Sequence, residues 1–371
     1  MIAKKMLVNI ACMILANQLS AQSASIKPET SSTEQTAQEV KKPTLVISGY
    51  ADVYYKYDLG RNAGNNKTSF TNTHNSFELG MASIRLDHTS GNVSMTADMG
   101  IGKRAEEFSY NDKNTNFIIK QLFLSYAVSD HLKLTMGSWA THVGYELVDP
   151  WANRNYSMSY MFSYGPFFHT GLKAEYTFGK STVMLGLADP TDFKSAMADS
   201  KKFLIGQYSY ISSNDKFKTY INYQSGKRPN DNSKIMQVDA VVNYQLSERV
   251  GLGFNGTSSF ISAYDAPKNT WAAADNWWGS ALYLNYDPFP NTGFTIRSEF
   301  FSDNKGLAAM SSLTPGGGHI FANTISTNFK FSNVTIIPEI RFENSNAAIY
   351  STNGVNKKSD ASLLLAAVYK F

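Results

Sequence analysis

The chain has 371 residues, with 34 Lys and Arg against 30 Asp and Glu, a formal net charge of +4 and a single cysteine. So small a positive excess gives no electrostatic footing for nucleic acid, and one cysteine excludes an intrachain disulfide or a cysteine-based metal centre. Aromatic residues make up 13% of the chain while mean hydropathy is −0.28, the combination expected of strands that alternate lipid-facing with water-facing side chains.

The first predicted element is a secretory signal over residues 1–21. Lys4 and Lys5 supply its charged start, Met6 to Ala16 its apolar run, and the small residues before Ala21 its cleavage site. The apolar run is shorter than the roughly 20 residues a membrane helix needs, and no later stretch reaches that length. A mature chain without a transmembrane helix follows. Cys12 lies inside the signal, and Asn9 argues against a lipoprotein acylation site there. Removing Lys4 and Lys5 takes the formal charge from +4 to +2. Residues 22–44 are rich in Ser, Thr, Glu, Gln, Lys and Pro without apolar periodicity, which reads as a disordered periplasmic tail.

From Leu45 to Phe371 the dominant period is two. Val93, Met95, Ala97, Met99 and Ile101 alternate with Ser94, Thr96, Asp98, Gly100 and Gly102, one set for each face of a strand. Helical spacing is not expected anywhere after the signal. The pattern predicts strands at 45–57, 77–88, 93–103, 117–129, 132–142, 167–178, 182–188 and 203–212 in the first half. In the second half it predicts 217–226, 235–246, 250–260, 277–286, 294–302, 320–331, 334–343 and 362–371. Neither parity is clean in 203–212 or at Phe300 and Phe301. Connections alternate between long polar segments (58–76, 104–116, 143–166) and tight turns (89–92, 130–131, 179–181), and the alternation continues to the last strand. An even strand number with short inner turns and long outer loops is expected of an all-β transmembrane antiparallel barrel of about 16 strands. A soluble β-sandwich would carry charge on the face where this chain carries Leu, Val, Phe and Tyr. The final strand ends on Tyr369 and Phe371, which read as the assembly signal of an outer-membrane barrel.

Two stretches carry a family resemblance. Gly49-Tyr-Ala-Asp-Val-Tyr-Tyr55 opens the barrel, and Gly137 to Tyr176 contains Thr141, Gly144-Tyr-Glu146, Asp149, Asn153, Asn155-Tyr-Ser157, Ser159, Phe162, Pro166 and His169-Thr-Gly171. In this spacing the chain resembles the OmpL-like putative β-barrel porin family. The resemblance implies a porin-like barrel and specifies no substrate.

Candidate functional residues follow from facing. Lys133, Lys173, Glu175, Arg297, Glu299, Glu339 and Arg341 fall in strand interiors at positions whose neighbours point outward. Facing lipid at mid-depth, an Arg or Lys would cost about 2 to 4 kcal/mol, so these charges are assigned to the lumen. The segment 143–166 is the longest outer connection and is rich in Tyr, Met and Trp, whereas 58–76, with Lys67, is polar and reads as an outer loop in water. The apolar segment is expected to fold into the barrel and form its constriction. Glu146, Asp149 and Arg154 would then face wall charges such as Lys133, Lys173 and Arg297.

No catalytic, cofactor-binding or metal-binding set is assigned. The six histidines lack metal-ligand spacing, and His142 and His169 read as pins for the long segment. His74 and Ser76 lack an oriented acidic partner for a hydrolase. Trp139, Trp151, Trp277 and Trp278 read as an interfacial aromatic girdle, with sugar stacking as the alternative. The expected function is passive diffusion of small hydrophilic solutes and ions through the outer membrane. The rival is a non-conducting barrel used for adhesion or as a surface scaffold. Expected partners are outer-membrane lipid, the barrel-assembly machinery and the solutes, with association into a homotrimer left open.

Overall fold

The computed structural model describes residues 43–371 apart from 113–117, 196–199, 312 and 315. The expected signal, Cys12 and nearly all of the tail lie outside the described residues. Thr44, taken as the last residue of the tail, already pairs with Thr89 in the wall.

Sixteen antiparallel strands close on themselves into a barrel. The first half comprises β1 (Thr44–Asp58), β2 (Ser76–Ser90), β3 (Val93–Ile101), β4 (Ile119–Ala127), β5 (Leu132–Ala140), β6 (Phe168–Phe178), β7 (Ser181–Ala188) and β8 (Phe203–Ile211). The second comprises β9 (Phe217–Lys227), β10 (Lys234–Gln245), β11 (Val250–Ser262), β12 (Asp275–Phe289), β13 (Thr292–Asp303), β14 (Gly318–Phe331), β15 (Val334–Ser345) and β16 (Ser359–Lys370). Each strand pairs with its neighbours in sequence, and β16 returns to β1. Every predicted strand is present. Closure leaves no edge, so the ladder hydrogen bonds are satisfied within the wall, as hydrocarbon surroundings demand.

Alternation resolves the facings that the sequence left open. Outward residues include Met136 (68% exposed) and Leu282 (62% exposed), while inward Arg297 is fully enclosed. In β8, Phe203 and Ile205 point in and Leu204 and Tyr208 out. Phe301 is buried inside, and Phe300 lies outward against Trp278 with ring centroids 5.3 Å apart.

Three register shifts break the ladders: one near the inner end of β12, between Tyr286 and Phe289, and two that reach the lumen. In β2, Gly80 and Met81 lie in the shifted register opposite Asp52, and the Met81 N–H donates to Asp52 Oδ1 at 2.9 Å. A Cβ on Gly80 would stand 1.7 Å from Asp52 Oδ2, so only glycine fits beside that carboxylate. In β4 the register slips between Gln121 and Ile119, and Lys120 is turned into the lumen. At the seam the Gly49 N–H donates to the Phe371 carbonyl at 3.1 Å and the Phe371 N–H to the Gly49 carbonyl at 3.0 Å. The Phe371 ring covers Gly49, 2.7 Å from where a Cβ would be.

Helix is present after all, as short pieces in the outer connections: Lys103–Phe108 and Tyr160–Tyr164, of 6 and 5 residues. Pieces this short cannot build a hydrophobic period, so alternation analysis passes over them. Two small hairpins, Tyr264–Asp265 with Thr270–Trp271 and Tyr350–Thr352 with Val355–Lys357, also rise from outer connections.

The first outer connection departs from expectation. Instead of standing in water, it buries Asn65, Thr68, Phe70 and Thr71. Phe70 packs against Phe167 at 5.4 Å between centroids, and Lys67 is only partly exposed.

Candidate constriction inside the barrel

Residues 141–167 leave the wall at the outer end of β5, cross the lumen and return to β6. Thr141 and His169 hold the two ends together, with Oγ1 and Nε2 3.0 Å apart. The His142 ring lies against His169, centroids 4.9 Å apart with a 40° tilt, and its Nε2 lies 3.2 Å from the Tyr223 carbonyl on β9.

The descending limb crosses from β10 to β1. The Gly144 N–H donates to Asp239 on β10 at 3.0 Å, and Tyr145 stacks on Tyr283 of β12 with centroids 4.0 Å apart. Gly253 makes room for that ring, since a Cβ there would be 2.7 Å from it. Asp149 meets Lys120 Nζ at 2.5 Å and accepts from the Tyr50 hydroxyl at 2.7 Å. A proline-started turn, Pro150–Ala152, reverses the chain near the inner end, where Lys370 Nζ sits 3.3 Å over the Trp151 ring.

The returning limb climbs the opposite wall one contact at a time. Arg154 forms a bidentate pair with Asp287 on β12, at 2.7 and 2.5 Å. The N–H groups of Tyr156 and Ser157 donate to Glu339 on β15 at 2.8 and 3.2 Å, and the Tyr160 N–H donates to Glu299 on β13 at 2.8 Å. Arg297 binds Glu146 Oε1 at 2.6 Å and the Ser157 carbonyl at 2.7 Å. Arg297 also pairs with Glu299 at 3.3 Å, and Arg341 bridges Glu299 at 2.8 Å and Glu343 at 3.0 Å. Because strands on opposite sides of a closed barrel hold the same segment, the segment lies within the lumen.

Of the sequence-derived set, Glu146, Arg297, Glu299, Glu339 and Arg341 thus come together around the segment. Lys133, Lys173 and Glu175 form a separate cluster on β5 and β6, with Glu175 2.9 Å from Lys133 and 3.8 Å from Lys173. Lys173 also sits 5.0 Å over Trp139. The expected pairing of Asp149 and Arg154 with Lys133 and Lys173 does not occur. Their partners are Lys120 and Asp287, because the β4 bulge presents a lysine nearer to Asp149 and the segment descends far enough to reach the inner end of β12.

Sequence reasoning missed Asp52, Lys120 and Arg104. Arg104 comes from the short helix Lys103–Phe108 and lies 5.0 and 4.8 Å over the rings of Phe70 and Tyr156. Tyr156 in turn donates its hydroxyl to Asp52. Of the four tryptophans assigned to a girdle, only Trp278 faces outward. Trp277 points inward onto Phe301 at 5.3 Å, as the adjacent residue of a strand must, and Trp139 and Trp151 are inside.

Between the limbs and β12, a cavity of about 10 Å³ remains, lined by Tyr145, Glu146, Asn153, Arg154, Tyr283 and Asn285. It has room for one water at most. Above the segment, Asn66, Lys67, Glu107, Ser163, Tyr164 and Leu313 line an outer vestibule of about 330 Å³.

Solved porins share this architecture. The outer membrane channel DcaP of Acinetobacter baumannii superposes with a TM-score of 0.59 at 11% identity, covering 89% of this chain and 97% of that one. An anion-selective porin from Comamonas acidovorans gives 0.61 at 9% identity, covering 89% and 100%. The trimer form of OmpT from Vibrio cholerae gives 0.59 at 11% identity, covering 89% and 99%. At these identities the likeness is one of fold. No curated protein matches the chain. Residues 44–371, the whole barrel, match the family described as putative beta-barrel porin-2, OmpL-like, and the chain belongs to that family of outer-membrane porins.

Proposed function

We propose that the protein is a passive, non-enzymatic pore for small hydrophilic solutes and ions, with its narrowest point set by residues 141–167. The observation that carries this reading is the re-entrant segment itself, which displays Glu146, Asp149 and Arg154 to a charged wall inside a sixteen-stranded barrel. An unobstructed barrel of this size holds a water-filled channel. Here the segment narrows it and the outer vestibule collects solute above. Lys133, Lys173, Glu175, Arg297, Glu299, Glu339 and Arg341 supply the transverse field in the wall. On this reading residues 1–21 direct export through the periplasm, and Tyr369 and Phe371 engage the assembly machinery.

The tight packing of the segment favours a second reading, a non-conducting barrel that displays its outer loops for adhesion or as a scaffold. Planar-bilayer recording separates the two. Stepwise conductance is expected, smaller than an empty lumen of this strand number would give, and Arg154→Glu should move the reversal potential toward cations because it sets a second carboxylate beside Asp287. Lys358→Glu, on an exposed outer connection, should change nothing; Lys67 is unsuited to that role because its loop is packed. Absence of steps at every voltage would abandon the pore for the scaffold.

The proposed assembly is a homotrimer. On the outward faces of β11 to β14, Ser258, Asn276, Ser280, Ser298 and Asn323 stand where other strands carry Leu, Phe and Val. Asn276 donates to Ser258 at 3.2 Å, and Ser298 to Asn323 at 2.7 Å. Hydrocarbon offers such groups nothing, whereas a like surface on another copy offers hydrogen bonds and close approach.

A further inference from the structure

At the outer rim, β9 ends and β10 begins on two lysines in direct register, Lys227 opposite Lys234. Both are on the outward face: Ile221, Met236 and Val238 share their parity and are exposed, while Asn222, Gln224, Gln237 and Asp239 have the opposite parity and are buried. Like charges placed directly across a ladder repel, and a structure keeps them only when something opposes that repulsion. Among the described residues neither ammonium lies within ion-pair distance of a carboxylate.

Both lysines converge instead on two aromatic rings. Lys234 Nζ is 3.7 Å from the Trp271 centroid, and Lys227 Nζ is 5.5 Å from the rings of both Tyr264 and Trp271. The rings lie 5.2 Å apart on the hairpin Tyr264–Asp265 with Thr270–Trp271. The Trp271 indole N–H donates to the Asn232 carbonyl at 3.0 Å, which ties that hairpin to the β9–β10 connection. Lys268 of the same hairpin is already neutralised by Asp265 at 2.7 Å. Among the described residues Arg228, next to Lys227 in the same connection, also makes no ion pair, and the two lysines are the unneutralised charges that lie against the rings.

The geometry points to a binding site for the phosphorylated sugar headgroup of an outer-leaflet glycolipid, with phosphate between Lys227 and Lys234 and the sugar against the Tyr264–Trp271 pair. A phosphate supplies the missing negative charge and accepts from both ammonium groups. Saccharide rings present C–H faces that pack on aromatic surfaces. The apolar stripe of Ile221, Met236 and Val238 begins directly beneath, where acyl chains of a bound lipid would run, so a lipid fits better than free phosphate. The inference rests on the barrel standing in a membrane with its long connections outside, and it is independent of whether the lumen conducts.

The test uses the full mature protein in mild detergent, with native mass spectrometry and titration as readouts. The probes are a diphosphorylated acylated glucosamine disaccharide, the same lipid stripped of phosphate, phosphatidylglycerol and inorganic phosphate. The diphosphorylated glycolipid should bind best. Lys227→Gln with Lys234→Gln should weaken it at least tenfold, Trp271→Ala several-fold, and Lys358→Gln not at all. Unheated and boiled samples of each variant, compared on a gel, report whether the barrel is intact and so whether the membrane reading itself stands. Unchanged affinity in the folded double variant overturns the site. Equal binding of the phosphate-free lipid removes the role of the lysines, and equal binding of phosphatidylglycerol or inorganic phosphate removes the glycolipid assignment.

Discussion

Arg297 shows how much depends on single side chains inside this barrel. Its guanidinium is enclosed and faces Glu146 of the segment and Glu299 of the wall, so removing it leaves two buried carboxylates short of a partner. Breaking a buried pair from one side typically costs about 3 to 5 kcal/mol, far more than loss of a surface pair. Arg297→Met should lower the temperature at which the unheated gel form converts to the unfolded one and should raise fluctuations in single-channel current. Arg297→Lys, which keeps the charge, should fall between. Unaltered conversion temperature and current noise in the Met variant would show that the segment is held by other means. Arg297, Glu299, Glu339 and Arg341 were legible in the sequence because their strands keep strict alternation. Lys120 was not, because its facing depends on a bulge that appears only once the strands are paired; Asp52 keeps the alternation of β1, and hidden in its case were its partners, the β2 bulge and Tyr156.

Among the connecting elements, the outer connection after β7 shows a dependence on acidity. Asp192 accepts from the N–H groups of Phe167 and Phe168 at 2.7 and 3.0 Å and from the Tyr110 hydroxyl at 3.0 Å, fastening this connection to the end of the re-entrant segment. Burial pushes its carboxyl up from 3.8 to about 6, against the opposing pull of those donors and of Lys194. With the folded value above the unfolded one, the stabilisation is complete below about 4 and is lost as pH rises through about 6; a difference of this size corresponds to about 3 kcal/mol. Limited proteolysis within 189–202 should be slower at pH 5 than at pH 7.5, and Asp192→Asn should flatten that difference. Equal cleavage rates at both values in the wild type would remove the effect. What the sequence disclosed about the re-entrant element was its need for packing, stated by its Tyr, Met and Trp content. Its depth and its partners were hidden, because they are fixed by distant strands. The polar connection 58–76 misled in the other direction, since its Asn and Thr side chains are buried by hydrogen bonding, as in Asn65 Nδ2 to Asp58 Oδ1 at 2.9 Å.

At the level of the whole molecule, the barrel was legible almost completely. Period two, an even strand number and the alternation of long and short connections are independent signals that agree, and a closed antiparallel wall satisfies all three. Oligomeric state lies on the outward surface, where a few Ser and Asn residues in otherwise apolar strands are a weak signal in sequence and a contiguous patch in space. In mild detergent the purified protein should have three times the mass of one copy. Ser298→Tyr, which pushes a ring out of the patch, should reduce it to single copies that keep the heat-dependent gel shift. A wild type that already runs as one copy would dismiss the trimer.

The climb of residues 154–160 along β12 to β15 also sets an order in time. Tyr156 and Glu339 are 183 positions apart, as are Tyr160 and Glu343, and Asn155 and Ser326 are 171 apart. Such contacts close very long loops, whose entropy is lost before any contact repays it. The segment's seat is complete only when β15 has joined the sheet, so the returning limb cannot be fixed before the wall on that side has formed.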